Sequence, residues 1–399
     1  MAHMMLAAAI VEMVLFVLAA WSVAYVLVFA VASHLPAHPL PIDAKARPRF
    51  LIIIPAYAED EVVESTVRYA TGQAYLDFDV CVVADAMQPA TLERLAAMPI
   101  TLLQANYTDS TKAKALQLAM AEAYVPGRHT HVLILDADNV IVPDMLLRIA
   151  RHCTRDVKAI QLHRKAKNTD TDVAMLDAVS EEINNSIFRR GHNRLNMAAA
   201  LIGSGMCLDA QWFAEAVKGL QSAGEDKEIE RQLLLDGHTT IFADTLPVLD
   251  EKVTTHTSFG RQRRRWLAAQ AWALAHMVRG LPQAFARRSP TRRLDYLDKM
   301  LQQTLVPRSL LMVLTAAMLL VTIVAAATGL APWSMPLRWA VLDVCLDTAI
   351  LLAIPRIMFG PRLAKAVAAL PPMLWQMVAA LFHMRGASHN FIHTSHGKP

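Results

Sequence analysis

The chain has 399 residues, of which 54% are hydrophobic, and its formal net charge is +4. This length allows a sizeable core and roughly two to three structural units. The four cysteines are widely spaced without a CxxC pair, which argues against a disulfide framework or a structural zinc site. Basic residues cluster at 261–265 and 287–293 beside hydrophobic segments, where they more often face anionic lipid than nucleic acid, so no nucleic-acid partner is expected.

The first hydrophobic segment, residues 4–32, contains a single acid and no lysine or arginine. About 20 apolar residues span a bilayer. A cleaved signal peptide is the competing interpretation. The length, the lack of a basic start, and Trp21 and Tyr25 late in the segment favour a retained transmembrane helix. A Pro-rich linker follows at 35–48, and the basic residues at its end predict a cytoplasmic location for the next domain.

Short apolar runs alternate with helical patterns through the next part of the chain. The predicted strands are 50–55, 79–85, 100–104, 132–135 and 159–163, and the predicted helices are 61–71, 91–97, 112–124 and 171–190. This alternation predicts an α/β domain with a mostly parallel sheet. Right-handed crossovers would bring Asp85, Asp136 and Asp138 to one edge of that sheet. No GxGxxG or GxxxxGK[ST] follows the first strand, which argues against dinucleotide and P-loop sites.

The strand at 132–135 ends in Asp136-Ala-Asp138. Residues i and i+2 of an extended chain point to the same side, so both carboxylates leave the strand together. Open α/β sheets bind ligands at this end of their strands. Paired oxygen ligands suit Mg²⁺ or Mn²⁺ and, through the metal, a diphosphate. The alternative is that both aspartates cap the turn before Pro143, and the spacing alone leaves both interpretations open.

Two later segments also contain candidate site residues. The apolar run 201–208 is interrupted by Gly203 and Gly205, which either allow close approach to a ligand or form a strand bulge. Glu225 and Asp226 precede a predicted helix at 229–236. Acids at a helix start are also favoured by the helix dipole, so this pair alone does not establish a catalytic role.

Near the second hydrophobic zone, Gln262, Arg265 and Trp266 would share one face of a helix. The guanidinium group suits bidentate phosphate contact, and the indole offers a flat plate for a sugar ring. Residues 266–285 predict an amphipathic helix lying on the membrane.

The C-terminal third contains further hydrophobic runs. Those at 305–330 and 339–357 are long enough to span a bilayer, and 364–381, with two prolines, is either a span or interfacial. Flanking arginines place both ends inside, which predicts a multi-pass protein of the inner membrane with a cytoplasmic catalytic domain. Asp343 and Asp347 lie one turn apart within a span and are expected to face a partner or a wet cavity.

The order DxD, Glu225-Asp226 and QxxRW, between membrane segments, resembles membrane-integrated family 2 glycosyltransferases, the group that includes cellulose, chitin, hyaluronan and poly-N-acetylglucosamine synthases. Residues 54–60, 82–85 and the helix start at Lys112 are also similar to that family, and Gly203–Gly205 resembles its Gly-rich acceptor segment. The resemblance covers about 49–266 and the flanking membrane helices. Ala58, Ala84 and the turn 86–89 depart from the usual asparagine, aspartate and polar turn, which leaves the donor less defined than the catalysis.

The resemblance implies a GT-A fold with a definite domain organisation. The expected units are an N-terminal transmembrane helix (1–34), a linker (35–48), a cytoplasmic GT-A domain (49–260), QxxRW and interface helices (261–300), C-terminal membrane or interfacial helices (301–385) and a tail (386–399). The expected activity is inverting transfer from a nucleotide-diphosphate sugar, with a UDP-sugar as the expected donor, to a growing polysaccharide of the cell envelope.

The resemblance also implies a role for each candidate residue. Asp226 is the expected catalytic base, and Asp136 and Asp138 are the expected ligands of Mg²⁺ or Mn²⁺. The expected donor-binding residues are Tyr57, Asp85, Lys112, Asp136, Gln262 and Arg265, and the expected acceptor-binding residues are Gly203, Ser204, Gly205, Glu225 and Trp266. Expected partners are a saccharide or lipid-linked acceptor, the bilayer, and a second copy or an export protein. Single transfer to a lipid-linked acceptor and a non-catalytic membrane scaffold remain open alternatives.

Overall fold

The computed structural model describes residues 2–222, 224–252, 256–287, 290–368 and 370, with only the backbone for 2, 4, 5, 256–268, 287, 290 and 291. Its central element is a single mixed sheet. The strands of this sheet are β1 (Phe50–Tyr57), β2 (Phe78–Asp85), β3 (Thr101–Ala105), β4 (His131–Ile134), β5 (Val140–Ile141), β6 (Ala159–Ala166), β7 (Met206–Asp209) and β8 (Thr240–Asp250).

Helices cover the sheet and continue beyond it at both ends of the chain. They are α1 (Ala2–Ala32), α2 (Val63–Thr71), α3 (Pro89–Ala96), α4 (Lys112–Glu122), α5 (Met145–Ala150), α6 (Asp172–Asn184), α7 (His192–Arg194), α8 (Ala210–Ala216), α9 (Glu225–Leu235), α10 (His256–Arg287), α11 (Pro290–Gln302), α12 (Arg308–Ala327), α13 (Ser334–Ala353) and α14 (Pro361–Ala368). A π-helical segment, Asn185–Gly191, connects α6 to α7.

The strand order is β3-β2-β1-β4-β7-β6-β8-β5. Strand β1 is parallel to β2 and β4, and β6 is parallel to β8, whereas β7 is antiparallel to both of its neighbours and β5 is antiparallel to β8. The predicted α/β domain with a mostly parallel sheet is therefore confirmed. In β1, Ile52 and Ile54 pack into the core on one face and Leu51 and Ile53 into the core on the other. Because successive side chains alternate between faces, a central strand covered on both sides reads as a continuous apolar run.

Two elements differ from the sequence-based expectation. The helix expected over 171–190 is α-helical only to Asn184 and then becomes π-helical. The wider turn brings Gly191 against α1, where a Cβ atom at residue 191 would lie 2.3 Å from the Phe29 carbonyl oxygen. Strand β8 was not predicted, because Pro247 and a register shift opposite Leu162 and His163 interrupt its alternation of apolar and polar residues.

Among the described helices, Leu6–Ala32 within α1 and Arg308–Ala327, which is α12, are long and apolar enough to cross a membrane. The expected span at 339–357 falls mostly in α13, a 20-residue helix that contains Arg338, Asp343 and Asp347. With three charged residues, α13 is less apolar than the two helices above, which contain one each. Helices α1, α12 and α13 pack together, and the Trp339 indole donates a 2.7 Å hydrogen bond to Glu12 of α1. Residues 371–381 of the last hydrophobic run lie outside the described residues.

Candidate active site

Three aspartates meet at one edge of the sheet. Asp136 and Asp138 follow β4, and Asp250 ends β8. One carboxylate oxygen from each lies within 4.8 Å of the others. Carboxylate oxygens are the ligands that Mg²⁺ and Mn²⁺ prefer, so this acidic triad fits a divalent cation. The sequence indicated the first two members, whereas Asp250 was missed together with the strand that carries it.

Asn139 organises the acidic triad. Its side-chain carbonyl accepts a 3.0 Å hydrogen bond from the Asp136 backbone N–H. Its amide nitrogen donates to Asp138 at 3.1 Å and to Asp250 at 3.3 Å. The hydroxyl of Ser204 donates a hydrogen bond to the same Asn139 carbonyl. Asn139 therefore joins the three aspartates in one hydrogen-bond network, which involves more than the capping of a single turn.

Buried cations lie behind the triad. Lys252 Nζ is 2.8 Å from Asp250 Oδ2, and Arg164 Nε is 3.5 Å from the same oxygen. Arg164 also bonds Glu181 of α6 at 3.0 Å, and Arg189 of the π-helical segment lies 3.5 Å from Glu181. Burial alone would raise the pKa of Glu181, but Arg164 and Lys252 hold it far below its usual range. This network ties Asp250 to α6 and to the segment that contacts α1.

Lys112 lies in the centre of the site. It is the first residue of α4, which Thr111 caps by accepting a 3.2 Å hydrogen bond from the Lys114 N–H. The Lys112 ammonium donates to Asp136 and, at 2.8 Å, to the Gly203 carbonyl oxygen. Burial alone would lower the pKa of Lys112, but Asp136 and Glu225 outweigh it and raise this pKa. The lysine therefore stays charged next to the triad.

The acidic pair begins α9. Glu225 is buried, with 8% of its side chain exposed, and its Oε1 lies 3.6 Å from Lys112 Nζ. Burial raises the pKa of Glu225, Lys112 opposes that shift and Asp226 adds to it, so this pKa lies at about 7. Asp226 lines the same cavity as the triad, and its Oδ1 accepts a 2.9 Å hydrogen bond from the Lys227 N–H.

The two glycines of the 201–208 run have different roles. Gly203 has φ +80°, and a Cβ atom there would lie 3.3 Å from Glu225 Oε1 and 4.0 Å from Asp226 Cβ. The close approach of Glu225 and Asp226 therefore explains why residue 203 is a glycine. Gly205, with φ +64°, would place a Cβ 3.2 Å from Val248 and 3.3 Å from Leu162, which is a constraint of sheet packing. Of these neighbouring residues, Gly203 lines the cavity, whereas Ser204 and Gly205 do not.

The nucleoside candidates Tyr57 and Asp85 end β1 and β2 and are paired in register. Both line the cavity, and the buried Oδ2 of Asp85 has no hydrogen-bond partner among the described residues. Such an atom can accept a hydrogen bond from a ligand. Ala58 and Ala86, which follow the two strands, have φ of 52° and 54°, a left-handed conformation that is strained for alanine.

One cavity of about 1050 Å³ contains these groups. It starts at the sheet edge and continues between α6, α12, α13 and α14. Gln262, Arg265 and Trp266 belong to α10, but their side chains lie outside the described residues, so their assigned roles stay predictions. Gln270 of the same helix lines the cavity and donates 2.9 Å hydrogen bonds to the carbonyl oxygens of Gln303 and Leu305.

Comparison with known proteins agrees with the α/β fold. The family model described as "Glycosyltransferase like family 2" matches residues 48–269. The mannosyltransferase PcManGT from Pyrobaculum calidifontis, solved with GDP-Man and Mn²⁺, is 17% identical and has a TM-score of 0.55, covering 85% of this chain and 97% of that one. At this identity, the similarity shows a shared fold.

Two other similar structures have lower scores. TarS from S. aureus is 12% identical with a TM-score of 0.43, covering 64% of this chain and 43% of that one. Glucosyl-3-phosphoglycerate synthase from Mycobacterium tuberculosis, solved with Mn²⁺, uridine diphosphate and phosphoglyceric acid, is 13% identical with a TM-score of 0.41, covering 59% and 87%. No curated protein matches the chain.

Proposed function

Because this chain belongs to glycosyltransferase-like family 2, we propose that it transfers a glycosyl group from a nucleoside diphosphate sugar to an acceptor hydroxyl. The observation that carries the proposal is the convergence of the acidic triad and Asp226 on one cavity. The similar mannosyltransferase was solved with GDP-Man, which is a nucleoside diphosphate sugar, and with Mn²⁺, which is a divalent cation. The match over 48–269 also supports the proposed GT-A domain at 49–260.

The sheet edge offers a separate group for each part of the donor. Asp136, Asp138 and Asp250 would hold Mg²⁺ or Mn²⁺, which supplies positive charge for the diphosphate when it is bound. Lys112 adds a second positive charge at Asp136. Asp85, with its buried Oδ2, and Tyr57 would contact the nucleoside. Gln262 and Arg265 are proposed to close the site from α10.

In the proposed reaction, Asp226 takes the proton from the acceptor hydroxyl. The acceptor oxygen forms a bond to the anomeric carbon while the bond from that carbon to the diphosphate oxygen breaks. The diphosphate leaves with the electron pair, and attack from the opposite face inverts the configuration. Gly203 leaves room for the acceptor beside Glu225 and Asp226. Trp266 is proposed to border the acceptor.

The location and the acceptor remain proposals as well. The two apolar helices support attachment to a membrane, and the GT-A domain is proposed to lie on its cytoplasmic side. The inner-membrane, multi-pass assignment and the growing polysaccharide remain predictions. A non-catalytic scaffold is the alternative that loss of turnover would favour.

The test measures nucleoside diphosphate release by membranes containing the full chain. A panel of nucleotide sugars is supplied with Mn²⁺, Mg²⁺ or EDTA, and Asp226→Asn is compared with Asp156→Asn, an exposed acid outside the cavity. We expect metal-dependent turnover with one donor, lowered by roughly 10²–10⁴-fold in Asp226→Asn only. Full activity of Asp226→Asn would contradict its role as the base. Absence of turnover with every donor would contradict the transferase itself.

A further inference from the structure

The cavity extends well beyond the place where the donor is proposed to bind. Small-molecule pockets typically measure about 300–1,000 Å³, and this single cavity reaches about 1050 Å³. Its second part, here called the apolar chamber, is lined by Val179, Ile183, Met312, Ile350, Leu363 and Val367. These residues come from α6, α12, α13 and α14. The chamber is therefore built by helices associated with the apolar spans.

Helix α6 joins the two parts of the cavity. On one side, Glu181 bonds Arg164, which contacts Asp250 of the acidic triad. On the other side, Val179 and Ile183 line the apolar chamber. A molecule that fills the chamber can therefore extend towards the reacting groups without leaving the cavity.

Two charged residues interrupt the apolar lining, beside the polar Ser180, Asn184 and Ser309. Arg308, at the start of α12, donates to the Asn184 side chain at 2.9 Å and to the Ser180 carbonyl oxygen at 3.0 Å. Asp347 of α13 also lines the cavity. The lining is thus apolar with one charge of each sign, a composition that suits an amphipathic molecule.

The apolar chamber reaches the protein surface among exposed apolar side chains. Leu351 and Val367 both line it and are 57% and 46% exposed. Phe359, between α13 and α14, also lines it and is 48% exposed. Exposed apolar groups beside a candidate transmembrane helix face lipid at low cost. The surface opening of the chamber therefore suits entry from the bilayer.

We propose that the apolar chamber binds the hydrocarbon chains of a membrane lipid whose head group carries the acceptor hydroxyl to Asp226. This inference rests on the proposed glycosyl transfer and names its acceptor class. The apolar walls of the chamber match hydrocarbon chains, which can enter it from the bilayer without being exposed to water. A hydroxyl-rich polysaccharide would instead lose hydrogen bonds to water along an apolar wall, which is unfavourable.

The test uses tryptophan substitutions that narrow the apolar chamber. Leu351→Trp and Val367→Trp replace exposed lining residues on two different helices, so neither needs to disturb the buried core. Val344→Trp is the matched control, because Val344 is 66% exposed on the same helix as Leu351 but does not line the cavity. The full chain is reconstituted with a total lipid extract of the producing membranes and supplied with radiolabelled nucleotide sugars.

Wild type and Val344→Trp are expected to place the label in a product that partitions into organic solvent. Leu351→Trp and Val367→Trp are expected to lower this product at least tenfold. Label in a water-soluble polymer, unaffected by both chamber variants, would overturn the inference and leave the proposed transferase intact.

Native mass spectrometry of the purified chain supplies a readout that does not need turnover. We expect a lipid from the same extract to remain bound to wild type and Val344→Trp and to be lost from both chamber variants. If no donor turns over but this pattern is seen, the proposed transferase fails and the lipid site stands. If wild type retains no lipid, or if all variants retain it equally, the inference is wrong whatever the activity.

Discussion

The ammonium nitrogen of Lys112 lies 3.6 Å from Oε1 of Glu225, and this contact joins the start of α4 to the start of α9. The same nitrogen donates to Asp136 of the acidic triad and to the Gly203 carbonyl oxygen. One partly buried cation thus connects the proposed metal site to the acidic pair that contains the proposed base. A change in the charge of Glu225 therefore alters the electrostatic environment of both the acidic triad and Asp226.

Replacing Glu225 with Gln is expected to change how stability depends on pH. The ordinary pKa of a glutamate is 4.5, whereas that of Glu225 in the folded chain is about 7. The folded state therefore holds a proton that the unfolded chain releases, and stability is lost as pH rises from about 4.5 to 7, by at most about 3 kcal/mol. Because Gln cannot titrate, Glu225→Gln removes this loss.

The measurement is thermal unfolding of wild type and Glu225→Gln at several pH values. We expect similar midpoints near pH 4.5 and a relative gain for the variant that grows up to pH 7 and then levels off. Glu215→Gln is the control, since Glu215 is exposed on α8 and lies outside the main cavity. A difference between Glu225→Gln and wild type that does not change with pH would show that Glu225 titrates as an ordinary carboxylate.

The parts of the site that the sequence revealed are those encoded by local patterns. Asp136 and Asp138 follow a buried apolar strand, and Glu225 and Asp226 begin a helix, so neighbouring residues indicate where each pair lies. Asp250 reaches the triad through the pairing of β8 with β6 and with β5, the short strand that follows the DxD pair. Because Pro247 and a register shift hide that strand, no local pattern identified its last residue.

Asn139 and Gly205 show a second limit of sequence reasoning. Asn139 follows the DxD pair directly, but its role depends on Ser204 and Asp250, which are distant in sequence. The two glycines of the 201–208 run are alike in sequence, yet Gly203 faces Glu225 and Gly205 faces Val248 and Leu162. Only the packing of β6, β7 and β8 separates these roles, so the sequence left both interpretations open.

Removing the third carboxylate is expected to weaken metal binding. Asp250→Asn leaves Asp136 and Asp138 in place but takes one charged ligand from the acidic triad. We expect the Kd for Mn²⁺ to rise by about 100-fold or more. Even residues that only hydrogen-bond the ligands of a metal change its affinity by about 10–100-fold. Mn²⁺ titration followed by electron paramagnetic resonance measures this directly. Asp156→Asn should bind Mn²⁺ like wild type, and equal affinity in Asp250→Asn would place the metal on the DxD pair alone.

Arg164 is expected to support the stability of the folded chain. Arg164→Met leaves Glu181 and Asp250 without their shared guanidinium, and breaking a buried ion pair in this way costs about 3–5 kcal/mol. Adding Glu181→Gln removes one of the two carboxylates that lose this partner, so the double variant should recover part of the loss. Chemical unfolding of wild type, both single variants and the double variant gives the coupling energy. Strictly additive effects would contradict a direct interaction between the two residues.

Ala58 is expected to be a position where glycine stabilises the chain. Its φ of 52° is left-handed, which costs alanine roughly 1–2 kcal/mol, although glycine loses more entropy on folding. We expect Ala58→Gly to raise the free energy of unfolding by about 0.5–1 kcal/mol. Ala56→Gly, two residues earlier inside β1, should lower it, because Ala56 is buried in an extended strand. Thermal unfolding of the two variants beside wild type tests the sign at each site, and destabilisation by both would show that Ala58 is not strained.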